Sequence, residues 1–168
     1  MTVRPILRYP HPALKRIAAG PGLEDARLIE EVARDLVDTM RVHPGCVGLA
    51  APQLGQLVRI VAVDVSGHPK ATTSHGLLVL ANPQITDSSG EEIAREGCLS
   101  IPDLTANVKR ATSIRVEGSG VDGGWRVVDS VGFEARCLQH EIDHLDGILF
   151  LDRVDSLKTD VFRRKTYR

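Results

Sequence analysis

The chain has 168 residues, 42% of them hydrophobic and 26% charged, a balance that supports one folded domain and excludes a disordered chain. Its 21 Lys+Arg offset 22 Asp+Glu to a formal charge of -1, which excludes a protein built around a nucleic-acid surface. Aromatic residues supply only 4%, so the core must rest on Val, Leu, Ile and Ala.

The opening MTVRPILRYPHPALKR carries charges and prolines where a signal peptide needs an apolar stretch, so no secretory signal is expected. Pro5, Pro10, Pro12, Gly20, Pro21 and Gly22 make residues 1–22 an irregular arm with one short helical turn. From Glu24 the apolar residues Leu28, Ile29, Val32, Ala33, Leu36, Val37 and Met40 recur every three or four positions. That spacing predicts an amphipathic helix, stopped by His43-Pro44-Gly45. After a Gly- and Ala-rich stretch, VRIVAVDV (58–65) and LLVLANP (77–83) read as strands joined by a polar loop. Further strands are expected near 91–100, 106–109, 112–117 and 125–131, and a second helix from Phe133 to about Leu145. From Asp152 the chain reads as a polar tail, with Arg163, Arg164, Lys165 and Arg168 near its end. A helix, several strands and then a second helix make an α+β pattern, in a single domain over 1–168. Runs such as LLVLA and ILFL are too short to cross a bilayer, and Cys46, Cys98 and Cys137 read as reduced thiols of a cytoplasmic protein.

The second helix carries His140-Glu141-Ile142-Asp143-His144. Residues four apart lie one turn apart on one face, so both imidazoles reach a single metal ion, and Glu141 stands beside them to handle protons. Composition alone predicts about 0.01 such matches in a chain of this make-up. A catalytic metal usually takes three protein ligands. Phe150 occupies the place where one known extension of the motif has a third histidine, and no Glu follows Glu141; Asp146, Asp152, Asp155 and Asp160 stay open, and otherwise the third ligand comes from upstream. Cys137 shares the helix face, but the rise from 137 to 144 is about 10 Å, too long for one ion. Spacing ranks Cys98, at a strand end, ahead of Cys46.

Three segments, GCVGLAAPQLG (45–55), EGCLSIP (96–102) and QHEIDHLDG (139–147), together resemble the signature motifs of the peptide deformylases. The resemblance runs from the N-terminal arm to about Leu151. It implies an α+β fold of mixed or antiparallel sheets packed around the central second helix, in a single catalytic domain over 1–168. It also implies a metallohydrolase that removes the N-formyl group from the initiator N-formylmethionine of nascent polypeptides, by metal-hydroxide attack with Glu141 as general acid and base. It assigns Cys98, His140 and His144 to the metal, with Fe²⁺ as the native ion and Zn²⁺, Ni²⁺ or Co²⁺ as substitutes. Gln53 and the Leu99 N–H then donate to the oxyanion. Val47, Gly48, Phe133, Arg136 and Cys137 line the substrate site, and Glu96 pairs with Arg110. Two residues depart from the family pattern: Cys46 replaces a glycine, and His11 stands where Asp is common. The expected partners are formylmethionyl nascent peptides and, through the basic C-terminal end, the ribosome. A cytoplasmic monomer that contacts neither DNA nor membrane completes the reading.

Overall fold

A computed structural model of the chain describes residues 2–165, Leu23 by its backbone alone. In chain order the elements are α1 (Ala26–Val42), β1 (Gly48–Ala50), β2 (Ile60–Val63), β3 (Leu78–Ser89), β4 (Glu92–Cys98), β5 (Ile101–Arg110), β6 (Ser113–Ser119), β7 (Trp125–Val131), α2 (Gly132–Leu145) and β8 (Val161–Arg163). Short 3₁₀ turns cover Pro12–Lys15, Leu23–Asp25, Ala51–Leu54 and Phe150–Arg153. The expected α+β class is observed, with all strand pairs antiparallel.

The larger sheet has the order β1-β2-β3-β6-β7 and lies between the two helices. Strand β2 shows why: side chains alternate between the faces of a strand. Ile60 and Ala62 join Ile29, Val32, Leu36 and Met40 of α1, whereas Val61 and Val63 join Leu138, Ile142 and Leu145 of α2. Burial on both faces is the reason that this segment reads as an unbroken apolar run. The smaller sheet, β4-β5-β8, closes the other side of α2. There Ile101, Ala106 and Val108 pack with Leu14, Leu149 and Phe150.

Differences from the expected elements have local causes. Helix α1 begins at Ala26, not Glu24, because the Asp25 carboxylate turns back to accept the Gly22 N–H at 2.8 Å and holds a 3₁₀ turn first. Strand β3 extends to Ser89 through residues that are polar or exposed, sustained by pairing with β6. Strand β1 lies in the Gly- and Ala-rich stretch, and β8 lies in the segment expected to be a polar tail; each is three residues long and held by its neighbour. Arg168 lies outside the described residues. Helix α2 is buried at eleven of its fourteen positions, every polar side chain but Gln139 included. By contrast Trp125, the sole tryptophan, is 64% exposed at the start of β7.

Candidate metal centre

His140 and His144 project from adjacent turns of α2, and Cys98 ends β4, where the two-residue turn Leu99-Ser100 leads into β5. One ligand atom from each of the three lies within 4.8 Å of the others. Cys98 Sγ is 3.4 Å from His144 Nε2. All three residues are buried. Burial disfavours the Cys98 thiolate, but the His144 and His140 rings outweigh it and hold the thiol well below its usual range. The fold thereby separates the two cysteines that spacing had left open. Cys46 is half-buried and donates to the Gly48 carbonyl at 3.2 Å; burial pushes its thiol up to about 12. Cys137 stays outside the cluster, its thiol also pushed up by burial.

The ligands are held by a buried charge network. His140 Nδ1 is 2.9 Å from Glu96 Oε2, which leaves its Nε2 for the cluster. Arg110 binds both oxygens of Glu96, Nε to Oε1 at 2.8 Å and Nη2 to Oε2 at 3.0 Å, as the pairing expected from the sequence requires. Its Nη1 donates to Asp143 Oδ2 at 2.6 Å, and Arg153 closes on the same carboxylate. Arg136 Nη1 donates to Glu96 Oε1 at 2.9 Å and to the Val108 carbonyl. Burial works against the Glu96 charge, yet His140 and Arg110 hold its carboxyl well below the usual carboxylate range.

Glu141 is 5% exposed, and its Oε2 has no hydrogen-bond partner among the described residues. Burial pushes its carboxyl up to about 7, the range in which a carboxyl both takes and gives protons near neutrality. Gly48 makes room for it: a Cβ there would lie 2.7 Å from Glu141 Oε1 and 2.9 Å from Cγ. Gly48→Ala is therefore expected to displace the carboxylate and lower kcat by about 10- to 100-fold, read from steady-state kinetics beside an unfolding curve that moves little. Gln53 is fixed at its carbonyl end, where Oε1 accepts the Ala50 N–H at 2.9 Å. Its Nε2 points into the cluster, 3.1 Å from Ser100 Oγ and 3.4 Å from Cys98 Sγ. Leu99 is half-buried and borders the same space.

Together these groups border a cleft of about 380 Å³, into which Val47, Phe133 and Cys137 contribute apolar surface and Arg136 its buried side chain. Sequence reasoning missed other parts of its wall. His68 stacks on Phe133 with ring centroids 4.3 Å apart, and Lys70, Arg95 and Arg164 stand at the margin. Nothing in local sequence marks a loop or terminal strand as neighbour to a cleft. A thiolate beside two imidazoles, with a buried carboxylate lacking a protein partner, is a donor set that fits a divalent transition metal and an open coordination position.

Comparisons with known proteins agree with this geometry. The family profile described as "Polypeptide deformylase" matches residues 3–160. A peptide deformylase of Thermodesulfovibrio yellowstonii is 41% identical over 165 residues, which is 98% of this chain and 97% of that protein. The crystal structure of the Thermus thermophilus peptide deformylase is 42% identical and superposes with a TM-score of 0.81, covering 91% of this chain and 86% of that one. A class I type b peptide deformylase from Acinetobacter baumannii, solved with Met-Ala-Ser bound, is 33% identical with a TM-score of 0.84 over 91% of this chain and 99% of that one. Similarity at this level, continuous from the N-terminal arm into the last strands, makes the chain a member of the polypeptide deformylase family.

Proposed function

We infer that the chain hydrolyses the formyl amide of the initiator N-formylmethionine on nascent polypeptides, releasing formate and a free amine. The observation that carries the assignment of roles is the closure of Cys98, His140 and His144 into one buried cluster within a family of metal-dependent deformylases. These three residues hold the metal in our reading, and the metal is Fe²⁺, replaceable by Zn²⁺, Ni²⁺ or Co²⁺. The Cys98 thiolate supports a transition metal over a hard oxygen-seeking ion such as magnesium.

When bound, such an ion polarises the formyl carbonyl and lowers the pKa of water. Glu141 takes the proton of the attacking water and passes it to the departing amine nitrogen. The Gln53 amide and the Leu99 N–H donate to the oxygen on which negative charge develops, an interaction worth about 3–4 kcal/mol per fixed donor. Val47, Phe133 and Cys137 take the methionine side chain, and Gly48 lets the substrate backbone pass close to Glu141. Met-Ala-Ser bound to the Acinetobacter baumannii relative supports a peptide of this kind as occupant.

The same proposal treats residues 1–168 as one catalytic domain that works as a cytoplasmic monomer. Among the described residues no helix is long and apolar enough to cross a membrane. Arg163 and Lys165 are exposed and available for a salt-dependent ribosome contact, whereas Arg164 is turned towards Gly97. The test is turnover of a formyl-Met-Ala-Ser peptide by iron-loaded protein under nitrogen. Free amine should appear, stop on chelation and decline in air; no release from folded, metal-filled protein would overturn the assignment.

A further inference from the structure

The margin of the cleft carries charge of one sign. The two carboxylates that line it, Glu96 and Glu141, are buried at 7% and 5% exposure, and Glu96 is already enclosed by Arg110 and Arg136. The charged side chains left to meet an incoming peptide are Lys70, Arg95 and Arg164. None of the three forms an ion pair among the described residues, although ion pairs are formed at many other surface positions, including Arg115 with Asp129 and Arg126 with Asp122.

Two of these cations belong to the smaller sheet, Arg95 on β4 and Arg164 just after β8. Gly97 pairs with Thr105, and Thr105 with Phe162, so these positions form one row across β4, β5 and β8. Because side chains alternate, Arg95 and Gly97, Thr105 and Asn107, and Phe162 and Arg164 fall on the same face. Arg95 lies across it: its Nε donates to Asn107 Oδ1 at 3.1 Å, its Nη1 to Thr105 Oγ1 at 3.2 Å, and its guanidinium carbon sits 3.6 Å from the Phe162 ring centroid. Arg164 reaches over Gly97, where any Cβ would collide with its guanidinium. It thus stands one residue from Cys98. Lys70 approaches from the loop between β2 and β3.

We propose that Arg95, Arg164 and Lys70 form a cationic rim that makes this enzyme favour formylmethionyl peptides with acidic side chains shortly after the methionine. The inference rests on the deformylase reading, which places the formyl end at Cys98, His140 and His144 and leads the following residues out past the rim. A carboxylate there meets two or three positive charges against the single exposed acid Asp103, whose carbonyl accepts the Arg164 N–H at 2.8 Å, whereas a lysine meets net repulsion. The pairs form at the surface, so salt weakens the preference.

The experiment compares kcat/KM for formyl-Met-Ala-Asp, formyl-Met-Ala-Ser and formyl-Met-Ala-Lys, all with amidated C-termini, using iron-loaded protein under nitrogen. At low ionic strength the order should be Asp, then Ser, then Lys, with about five- to tenfold between the extremes, expressed mainly in KM. The ratio should shrink in about 0.5 M NaCl and in Arg164→Gln. Lys70→Gln, on a loop apart from the Phe162 packing, should reduce it as well. Equal kcat/KM for the three peptides, or a ratio untouched by salt and by both substitutions, would overturn the rim. No turnover of any peptide would instead remove the deformylase reading, and this inference with it.

Discussion

Glu141→Gln should lower kcat for a formyl-Met-Ala-Ser peptide by about 10²- to 10⁴-fold, the usual contribution of a positioned acid–base group. Glutamine keeps the shape that fits against Gly48, where the clearance allows no extra atom. It cannot take a proton from water or return one to the amine. Cys98, His140 and His144 are untouched, and among the described residues the Glu141 carboxylate makes no ion pair whose loss would loosen α2. Metal content by elemental analysis and the thermal midpoint should therefore stay near those of the parent. Full activity in a metal-loaded E141Q protein would transfer the proton work to another group. Loss of metal along with activity would show that Glu141 serves the site structurally instead.

The second large effect falls on stability. Arg110 is 5% exposed and makes three charge-assisted hydrogen bonds, two to Glu96 and one to Asp143. Arg110→Met fills a similar volume but removes the charge between two buried carboxylates. Leaving buried charge without its partner costs about 3–5 kcal/mol, which urea unfolding followed by circular dichroism would register as a lower midpoint. The damage is reduced where other cations remain: Arg136 still reaches Glu96, and Arg153 still reaches Asp143. Since Glu96 also orients His140, metal affinity should fall by about 10- to 100-fold. Arg110→Lys should recover little of either loss, because a single ammonium cannot reproduce a two-pronged contact with Glu96 plus a third with Asp143. A midpoint unchanged by Arg110→Met would mean that the network adds nothing net to the fold.

How much of this was legible in the sequence depended on where the determining forces act. Both long helices declared themselves through periodicity, since each buries a continuous stripe or, for α2, nearly its whole surface. The histidine pair on α2 was visible for the same reason: helical geometry fixes the relation between residues four apart. Spacing alone could only rank Cys98 ahead of Cys46, because which strand end meets α2 is a long-range fact; the family resemblance named Cys98, and the fold brings it to the two histidines. Strand β8 was hidden altogether, its three residues having no pattern of their own and owing their conformation to β5. The Glu96–Arg110 pair was expected, but the additional claims of His140 and Arg136 on Glu96, and of Asp143 on Arg110, were not. Pairings of that kind join residues separated by tens of positions and leave no spacing to read.

The position of Trp125 determines what light can report about this molecule. The ring is the only indole in the chain and is already 64% in water, on a strand away from the cleft. Its emission is accordingly that of a largely hydrated fluorophore even in the native state, and complete unfolding can shift it little further. A peptide entering the cleft, or an ion joining Cys98 to the two histidines, leaves the indole's surroundings unchanged. Intrinsic fluorescence is thus nearly blind to the events of interest, and a tryptophan placed beside the cleft in a Trp125→Phe background would supply the missing optical probe.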